Sequence, residues 1–140
     1  DSAYIRLFSP TERAQWEGIV NSREQLSNLQ RIVAQLVQAG GRVAAGSDSP
    51  TSPYGLGLHA ELALLSEAGI PNDQVLRLVT SGAALALGIE RDLGTIEPGK
   101  LADFVVLSGN PLARIQDSLR IEAVVKDGLW TARDELLAKP

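Results

Sequence analysis

The chain has 140 residues and a formal net charge of −4, and its 13 lysines and arginines are scattered along the sequence. No nucleic-acid partner is expected, because phosphate binding needs a clustered basic face. Cysteine is absent, which excludes disulfides, thiolate metal ligands and a cysteine nucleophile. No membrane span is expected either, since no apolar run approaches the roughly 18 residues that a span needs. Methionine is also absent, so we expect a piece of a longer protein.

The first part of the chain predicts helices and one short strand. Ser9–Glu12 has the residue order of a helix start with a capping box. A second helix is predicted over Ser22 to Gln38, where apolar residues recur at helical spacing, and Gly40-Gly41 ends it. Arg42 to Ala45 then predicts a short strand, which stops at Gly46-Ser47-Asp48.

The middle of the chain predicts a loop and two more helices. Ser49 to Gly57 is rich in Ser, Pro and Gly, which is typical of a loop. Leu58 to Ala68 predicts a helix with one apolar stripe. A further helix is predicted to begin at Pro71 or Asn72, and Thr80-Ser81-Gly82 is expected to bend it.

The last part of the chain predicts strands. Phe104–Leu107 is short and strongly apolar, and Ile121 to Val125 predicts a second strand. The turn Lys126-Asp127-Gly128 closes that strand, with Leu129 to Ala132 as its hairpin partner. The chain is therefore expected to divide near Leu93 into an α/β part and a β-rich part.

Asp48 is the first candidate for chemistry. It ends a predicted strand and begins a loop, and in α/β folds the carboxyl ends of strands carry the catalytic groups. A purely structural role is the alternative, because Asp commonly stabilises turns through its own side chain.

His59, the only histidine, and Glu61 are the next candidates. Two residues apart on a helix, their side chains point about 200° apart, so they are not expected to face one metal ion. One histidine cannot build a zinc site, which takes three or four ligands. An ordinary, partly buried histidine near a helix start is the simplest interpretation of His59.

Three stretches together resemble the metal-dependent amidohydrolases. They are Ala45–Pro50 (AGSDSP), Gly57–Leu62 (GLHAEL) and above all Leu93–Leu107 (LGTIEPGKLADFVVL), in the order and spacing of that family. Pro53–His59 is similar to a branch whose members are often fused to TolB-like β-propeller repeats, alongside imidazolonepropionase-like and prolidase-like relatives. The resemblance covers roughly Gly40 to Gly128.

The resemblance implies an α/β fold. Residues 1–93 would form the final portion of a (β/α)₈ TIM barrel, and residues 94–140 would form part of a small β-sandwich domain. The chain would then be an incomplete fragment of the whole fold. One departure is Gly82, where relatives often carry Asn.

The resemblance also implies the chemistry of a metal site. Asp48 would be both metal ligand and catalytic residue, taking a proton from the attacking water and delivering it to the leaving amine. Tyr54 and His59 would line the substrate pocket. The cofactor would be a divalent metal ion, zinc by the resemblance. The family's other metal ligands are absent from this chain, so we expect the isolated chain to be inactive.

The sequence therefore favours the C-terminal part of an amidohydrolase that hydrolyses C–N bonds of peptide-like or cyclic amides. Its substrate would be a small amide or dipeptide-like molecule, and a homo-oligomer is expected because an open barrel edge with apolar faces invites pairing. Two alternatives stay open at this point. One is a non-catalytic scaffold or interaction protein with the same fold, and the other is a free-standing binding module.

Overall fold

The computed structural model describes residues 10–11, 23–49 and 55–138. Pro10 and Thr11 are helical, and the rest of the predicted helix start at Ser9–Glu12 lies outside the described residues. In chain order, the other elements are α1 (Arg23–Gln38), α2 (Leu56–Glu67), α3 (Asn72–Val79), α4 (Ser81–Leu87), β1 (Phe104–Leu107), a 3₁₀ helix (Ile115–Leu119), β2 (Ile121–Lys126), β3 (Leu129–Ala132) and α5 (Arg133–Leu137).

Helix α2 lies at the centre of the helical part and contacts α1, α3 and the 3₁₀ helix. It carries apolar residues on nearly all sides, as a helix covered by several neighbours is expected to do. Leu62 and Leu65 of α2 pack in one core with Ala34 of α1 and Val75 of α3. Ile115 of the 3₁₀ helix belongs to the same core. The C-terminal part of the chain is therefore packed directly on the helices.

The predicted bend at Thr80–Gly82 is a break between α3 and α4. The Thr80 hydroxyl donates to the Leu76 carbonyl oxygen at 2.7 Å, which ties the break to the last turns of α3. A Cβ atom at position 82 would lie 2.9 Å from the Arg77 carbonyl oxygen, closer than real Cβ contacts come. This close approach explains why glycine suits position 82 in this chain.

The strand predicted over Arg42 to Ala45 is wrong in one respect. Exposure alternates with a period of two along residues 41–48, as it does along a strand. However, none of these residues is paired in a sheet, and the Ala45 N–H donates instead to the Leu78 carbonyl oxygen at 3.3 Å. A strand needs a hydrogen-bonded partner, and the described residues place none beside this segment.

The hairpin predicted after Ile121 is confirmed. Strands β1, β2 and β3 form an antiparallel sheet in that order, with Phe104 opposite Val125 and Val125 opposite Trp130. Asp127 and Gly128 connect β2 to β3 with φ angles of 51° and 78°. Two positive φ angles in a two-residue loop are typical of the turn whose twist matches that of the flanking strands.

Helix α1 buries less of its predicted apolar face than the spacing suggests. Val33 and Val37 pack on the helical core, whereas Leu29 and Leu36 are 61% and 48% exposed. No described residue covers Leu29 and Leu36. The periodicity therefore located the apolar side chains of α1 but did not show which of them are buried. At 16 residues α1 is the longest described helix, and no helix in the described ranges has the length and apolarity to cross a bilayer.

Candidate functional site

Asp48 lies exposed at the end of the extended segment formed by residues 41–48, and α2 begins eight residues later at Leu56. Its φ angle is 49°, a backbone conformation that L-residues rarely adopt, although Asp and Asn tolerate it best. Asp127 is the other non-glycine residue with a positive φ in the described ranges, and its hairpin turn requires that angle. No hairpin explains the angle at Asp48. Strained backbone of this kind is often found at functional sites.

The surroundings of Asp48 are polar. The hydroxyl oxygens of Ser47 and Ser49, on either side of it, lie 3.0 Å apart. Tyr54, the predicted pocket residue, lies outside the described residues. Two surface cavities of about 380 and 340 Å³ are present elsewhere, and neither is lined by Asp48 or His59. The described residues therefore present Asp48 as an open carboxylate and not as one wall of a closed pocket.

His59 lies in the N-terminal half of α2 and is half-buried. Its Nδ1 atom lies 2.9 Å from the hydroxyl oxygen of Ser118, which is only 6% exposed in the 3₁₀ helix. The contact joins residues 59 positions apart, so local sequence patterns could not predict it. The structure therefore brings His59 together with Ser118, a residue that sequence reasoning missed.

The pKa shifts of His59 and Glu61 have one common cause. Burial lowers the pKa of the His59 imidazole and raises the pKa of the Glu61 carboxyl, so each shift favours the neutral form. An ion pair between them would favour both charged forms, and the shifts would run the other way. The directions agree with the helical geometry, in which the two side chains point to different sides.

The chain by itself does not fit the metal centre that the resemblance implies. Residues 10–11, 23–49 and 55–138 contain no group of three or more His, Asp or Glu side chains placed to hold a metal ion. Asp48 can supply one carboxylate ligand, whereas a zinc site takes three or four. Any complete metal centre would need ligands from outside this set of residues.

The motif Leu93–Leu107 makes structural contacts. Asp103 accepts hydrogen bonds from the Asp127 backbone N–H at 2.7 Å and from the Lys126 ammonium at 2.6 Å. These contacts, the Lys126 ammonium first, lower the pKa of the Asp103 carboxyl. Lys100 donates to the Glu90 carbonyl oxygen at 2.8 Å. These hydrogen bonds hold the β2–β3 turn and the segment after α4 in place. Polar side chains at such positions commonly bond to backbone groups that lack a partner in a helix or sheet.

Asp117 organises the turn between β1 and the 3₁₀ helix. It is 8% exposed and accepts hydrogen bonds from the Arg114 guanidinium and from the Asn110 backbone N–H. These two donors, Arg114 first, lower the pKa of the Asp117 carboxyl. Gly109 packs against it so closely that a Cβ there would lie 2.6 Å from the Asp117 Cβ. A side chain at position 109 would therefore displace the carboxylate from its donors.

Asp117 should make the fold sensitive to acid. Because its pKa is lowered in the folded state, its contribution to stability is present above the unfolded value of about 4 and is lost as the pH falls below it. Asp117→Asn should lower the free energy of unfolding at pH 7 and flatten its decline between pH 5 and pH 2. Urea unfolding at several pH values measures both effects.

Asp73→Asn is the matched control for that experiment. Asp73 forms an exposed ion pair with Arg77 at 3.8 Å, so its removal should change the free energy of unfolding by less than ~0.5 kcal/mol. An Asp117→Asn variant that keeps the wild-type acid profile would contradict the role given to Asp117.

Comparisons with known proteins agree with the sequence motifs. The model of the amidohydrolase family matches residues 7–131. A 5-methylthioadenosine/S-adenosylhomocysteine deaminase of Thermodesulfovibrio yellowstonii is 31% identical over 98 residues, which cover 64% of this chain and 22% of the deaminase. An imidazolonepropionase of Symbiobacterium thermophilum is 38% identical over 77 residues, 53% of this chain and 18% of that protein.

Solved structures of hydrolases also resemble this chain. A Xaa-Pro dipeptidase with methionine bound in its active site superposes with a TM-score of 0.68 and 32% identity, over 76% of this chain and 25% of the dipeptidase. Phenylurea hydrolase B superposes with a TM-score of 0.69 over 94% of this chain and 33% of its own, and at 21% identity it supports the fold alone. The chain thus spans about a quarter of the length of these relatives.

The amidohydrolase neighbours imply a TIM-barrel fold, and the chain corresponds to an α/β part of it with a small sheet. The family match extends over nearly the whole chain, and both curated proteins and solved structures agree with it. The chain therefore belongs to the amidohydrolase family.

Proposed function

We propose that this chain is the C-terminal part of a metal-dependent hydrolase that cleaves C–N bonds in small peptide-like or cyclic amides. The observation that carries the proposal is Asp48, an exposed carboxylate on positive-φ backbone at the end of the extended segment. It lies within the region matched to the family, at the position where the motif AGSDSP resembles that of amidohydrolases. Hydrolysis of C–N bonds by relatives named as deaminases and dipeptidases supports the same reaction class.

We further propose that residues 1–93 are the end of the barrel and residues 94–140 part of a small β-sandwich. The change from helices to antiparallel strands after Leu93 supports this division. The alternating exposure of residues 41–48 supports the placement of that segment as a barrel strand. Its hydrogen-bonding partners would then come from outside the described residues.

Asp48 can carry the proton transfers of the reaction. Water attacks the carbon of the scissile bond, so that a C–O bond forms and the C–N bond breaks. The Asp48 carboxylate takes a proton from the attacking water and gives it to the departing nitrogen, which leaves as a neutral amine. A bound divalent ion would supply electrophilic activation and a lower pKa for water. Because this chain holds one of its ligands, the isolated chain is proposed to be inactive.

Tyr54 and His59 are proposed to border the pocket for a small amide or dipeptide-like substrate. Tyr54 precedes α2 in the sequence and His59 lies near the start of α2, so both follow the reacting carboxylate closely in the chain. A homo-oligomer is also proposed, since apolar side chains such as Leu29 and Ile32 on α1 are more than half exposed. Size-exclusion chromatography that finds a stable monomer would contradict that assembly.

A second candidate substrate class is an amino-substituted purine nucleoside. It is favoured by the deaminases of several bacteria that are 31–37% identical to this chain over more than half its length. Deamination is also hydrolysis of a C–N bond, and Asp48 would have the same task, with ammonia as the departing nitrogen.

One assay separates these functions. The full gene product is incubated with Xaa-Pro dipeptides and with 5-methylthioadenosine, and free amino acids and ammonia are measured. Release of amino acids supports the amidase, and release of ammonia from the nucleoside supports the deaminase. A folded, metal-loaded protein that turns over no amide or amino-nucleoside would contradict the hydrolase and favour a non-catalytic scaffold.

A further inference from the structure

The break between α3 and α4 leaves the last carbonyl groups of α3 without partners in the helix. A helix that ends at Val79 cannot satisfy its last four carbonyl oxygens from within, and these belong to residues 76–79. Thr80 lies at the break, and its φ of −119° and ψ of −97° are far from the helical values of about −63° and −42°. The carbonyl oxygens at the end of α3 are therefore available to groups outside the helix.

Thr80 and the extended segment of residues 41–48 take up three of these carbonyl oxygens. The Thr80 hydroxyl donates to the Leu76 oxygen at 2.7 Å, and the Thr80 backbone N–H donates to the Arg77 oxygen at 3.2 Å. The Leu78 oxygen accepts a hydrogen bond from the Ala45 N–H at 3.3 Å. Thr80 thus ends α3 in a form that leaves the Leu78 carbonyl to a segment from another part of the chain.

The same segment approaches the break at a second point. A Cβ atom at Gly82, near the start of α4, would lie 3.8 Å from the Val43 carbonyl oxygen. In extended backbone the polar groups of residues two apart point to the same side, as those of Val43 and Ala45 do here. Ala45 also packs on the helical core. One edge of the segment is therefore held against the break.

Asp48 is the last residue of the segment that the break holds. It follows Ala45 by three residues, and all of them belong to the described extended segment. Extended chain rises about 3.3 Å per residue, so the Cα of Asp48 lies about 10 Å from that of Ala45. A shift of the anchored backbone at Ala45 is therefore passed to Asp48 through a short stretch of extended chain.

We propose that Thr80 is a positioning residue, which acts through Leu78 and Ala45 to set the place of Asp48. Without the Thr80 hydroxyl, the end of α3 that presents the Leu78 oxygen is less well ordered. The consequence for catalysis rests on the proposed function of Asp48, whereas the anchoring of residues 41–48 does not. Reacting atoms need to lie about 3–3.5 Å apart, so a small displacement of the carboxylate slows proton transfer.

The first test compares Thr80→Val and Thr80→Ser in the full gene product. Valine keeps the branched shape without the hydroxyl, whereas serine keeps the hydroxyl. Thr80→Val should lower kcat about threefold to tenfold and leave KM within about twofold of wild type, because one ordering hydrogen bond is lost while the substrate contacts are retained. Thr80→Ser should restore kcat to within about twofold of wild type.

Thr95→Val is the matched control for that experiment. Thr95 is exposed, as Thr80 is, and its hydroxyl accepts a hydrogen bond from the Lys100 ammonium in the C-terminal part of the chain. The same substitution there should leave kcat unchanged. A wild-type kcat in Thr80→Val, or an equal loss of kcat in Thr95→Val, would overturn the positioning role.

Hydrogen–deuterium exchange tests the anchor without any turnover. The Ala45 amide, followed in peptides over residues 42–48, should exchange about threefold to tenfold faster in Thr80→Val than in wild type, while amides of α2 should not. Unchanged exchange at Ala45, or an equal acceleration in α2, would overturn the anchor. Faster exchange at Ala45 in a gene product that hydrolyses no C–N bond would support the anchor and refute the proposed function.

Discussion

Asp48→Asn is expected to lower kcat/KM for C–N hydrolysis by the full gene product by at least about 10²-fold. General acid–base catalysis contributes about 10² to 10⁴ in rate, and an amide can neither accept the proton nor bind a metal ion as a carboxylate does. Asn tolerates a positive φ as well as Asp, so the backbone at position 48 should be retained. The free energy of unfolding of the metal-free protein should therefore stay within ~0.5 kcal/mol of wild type, as at other exposed positions.

Asp127→Asn is the matched control for that variant. Asp127 has nearly the same φ, 51° against 49°, but it lies in the hairpin turn between β2 and β3. The same substitution there should leave hydrolysis unchanged. Wild-type hydrolysis in Asp48→Asn would refute the role given to Asp48, and an equal loss in both variants would point to a general effect on folding.

Gly94→Ala is expected to lower the free energy of unfolding by about 2–5 kcal/mol. Gly94 has a φ of 98°, which costs an L-residue ~1–2 kcal/mol. A Cβ there would also lie 2.6 Å from the Ala84 Cβ and 3.0 Å from the Ser81 Cα, so α4 would have to move away. Forcing extra atoms into packed structure costs about 1–3 kcal/mol more. Chemical denaturation with tryptophan fluorescence measures the total.

Gly99→Ala isolates the backbone part of that loss. Its φ of 90° is close to that of Gly94, but nothing lies within 4 Å of the Cβ that alanine would add. Only the backbone cost of ~1–2 kcal/mol should remain. An equal loss of stability in both variants would contradict a steric cost from the close packing of α4 on Gly94.

The locally encoded elements could be predicted from the sequence. The spacing of apolar residues located α1 to within one residue, and the Asp127-Gly128 pair located the hairpin, because both signals act between near neighbours in the chain. The segment after Arg42 has the alternation of a strand but pairs with no other strand among residues 10–11, 23–49 and 55–138. Strand formation depends on a partner elsewhere, which a local pattern does not specify.

The site could be predicted only in part. The position of Asp48 followed from motif order, whereas its positive φ is a property of the folded backbone. The contact of His59 with Ser118 was missed because a lone serine in a short 3₁₀ helix has no sequence signature. Comparing helix phase did separate His59 from Glu61 correctly, since the angle between residues on a helix is fixed by its geometry. Tyr54 stays a prediction from the resemblance.

The motif Leu93–Leu107, which carried most of the family resemblance, consists largely of residues that make structural contacts. Asp103 fastens the hairpin turn, and Gly94 permits the close approach to α4. These contacts need defined residue types at defined spacing, so they leave a strong signal in the sequence. The proposed catalytic role of Asp48 concerns a single carboxylate, and a single carboxylate leaves a weak signal in the sequence.

Metal content and hydrolysis, measured in one preparation of the full gene product, test the central claim most directly. We predict at least one divalent ion per chain, loss of C–N hydrolysis on chelation, and recovery when the ion is returned. Asp48→Asn should reduce both the bound metal and the hydrolysis while the fold is retained. Hydrolysis that persists undiminished in metal-free protein and in Asp48→Asn would contradict the account.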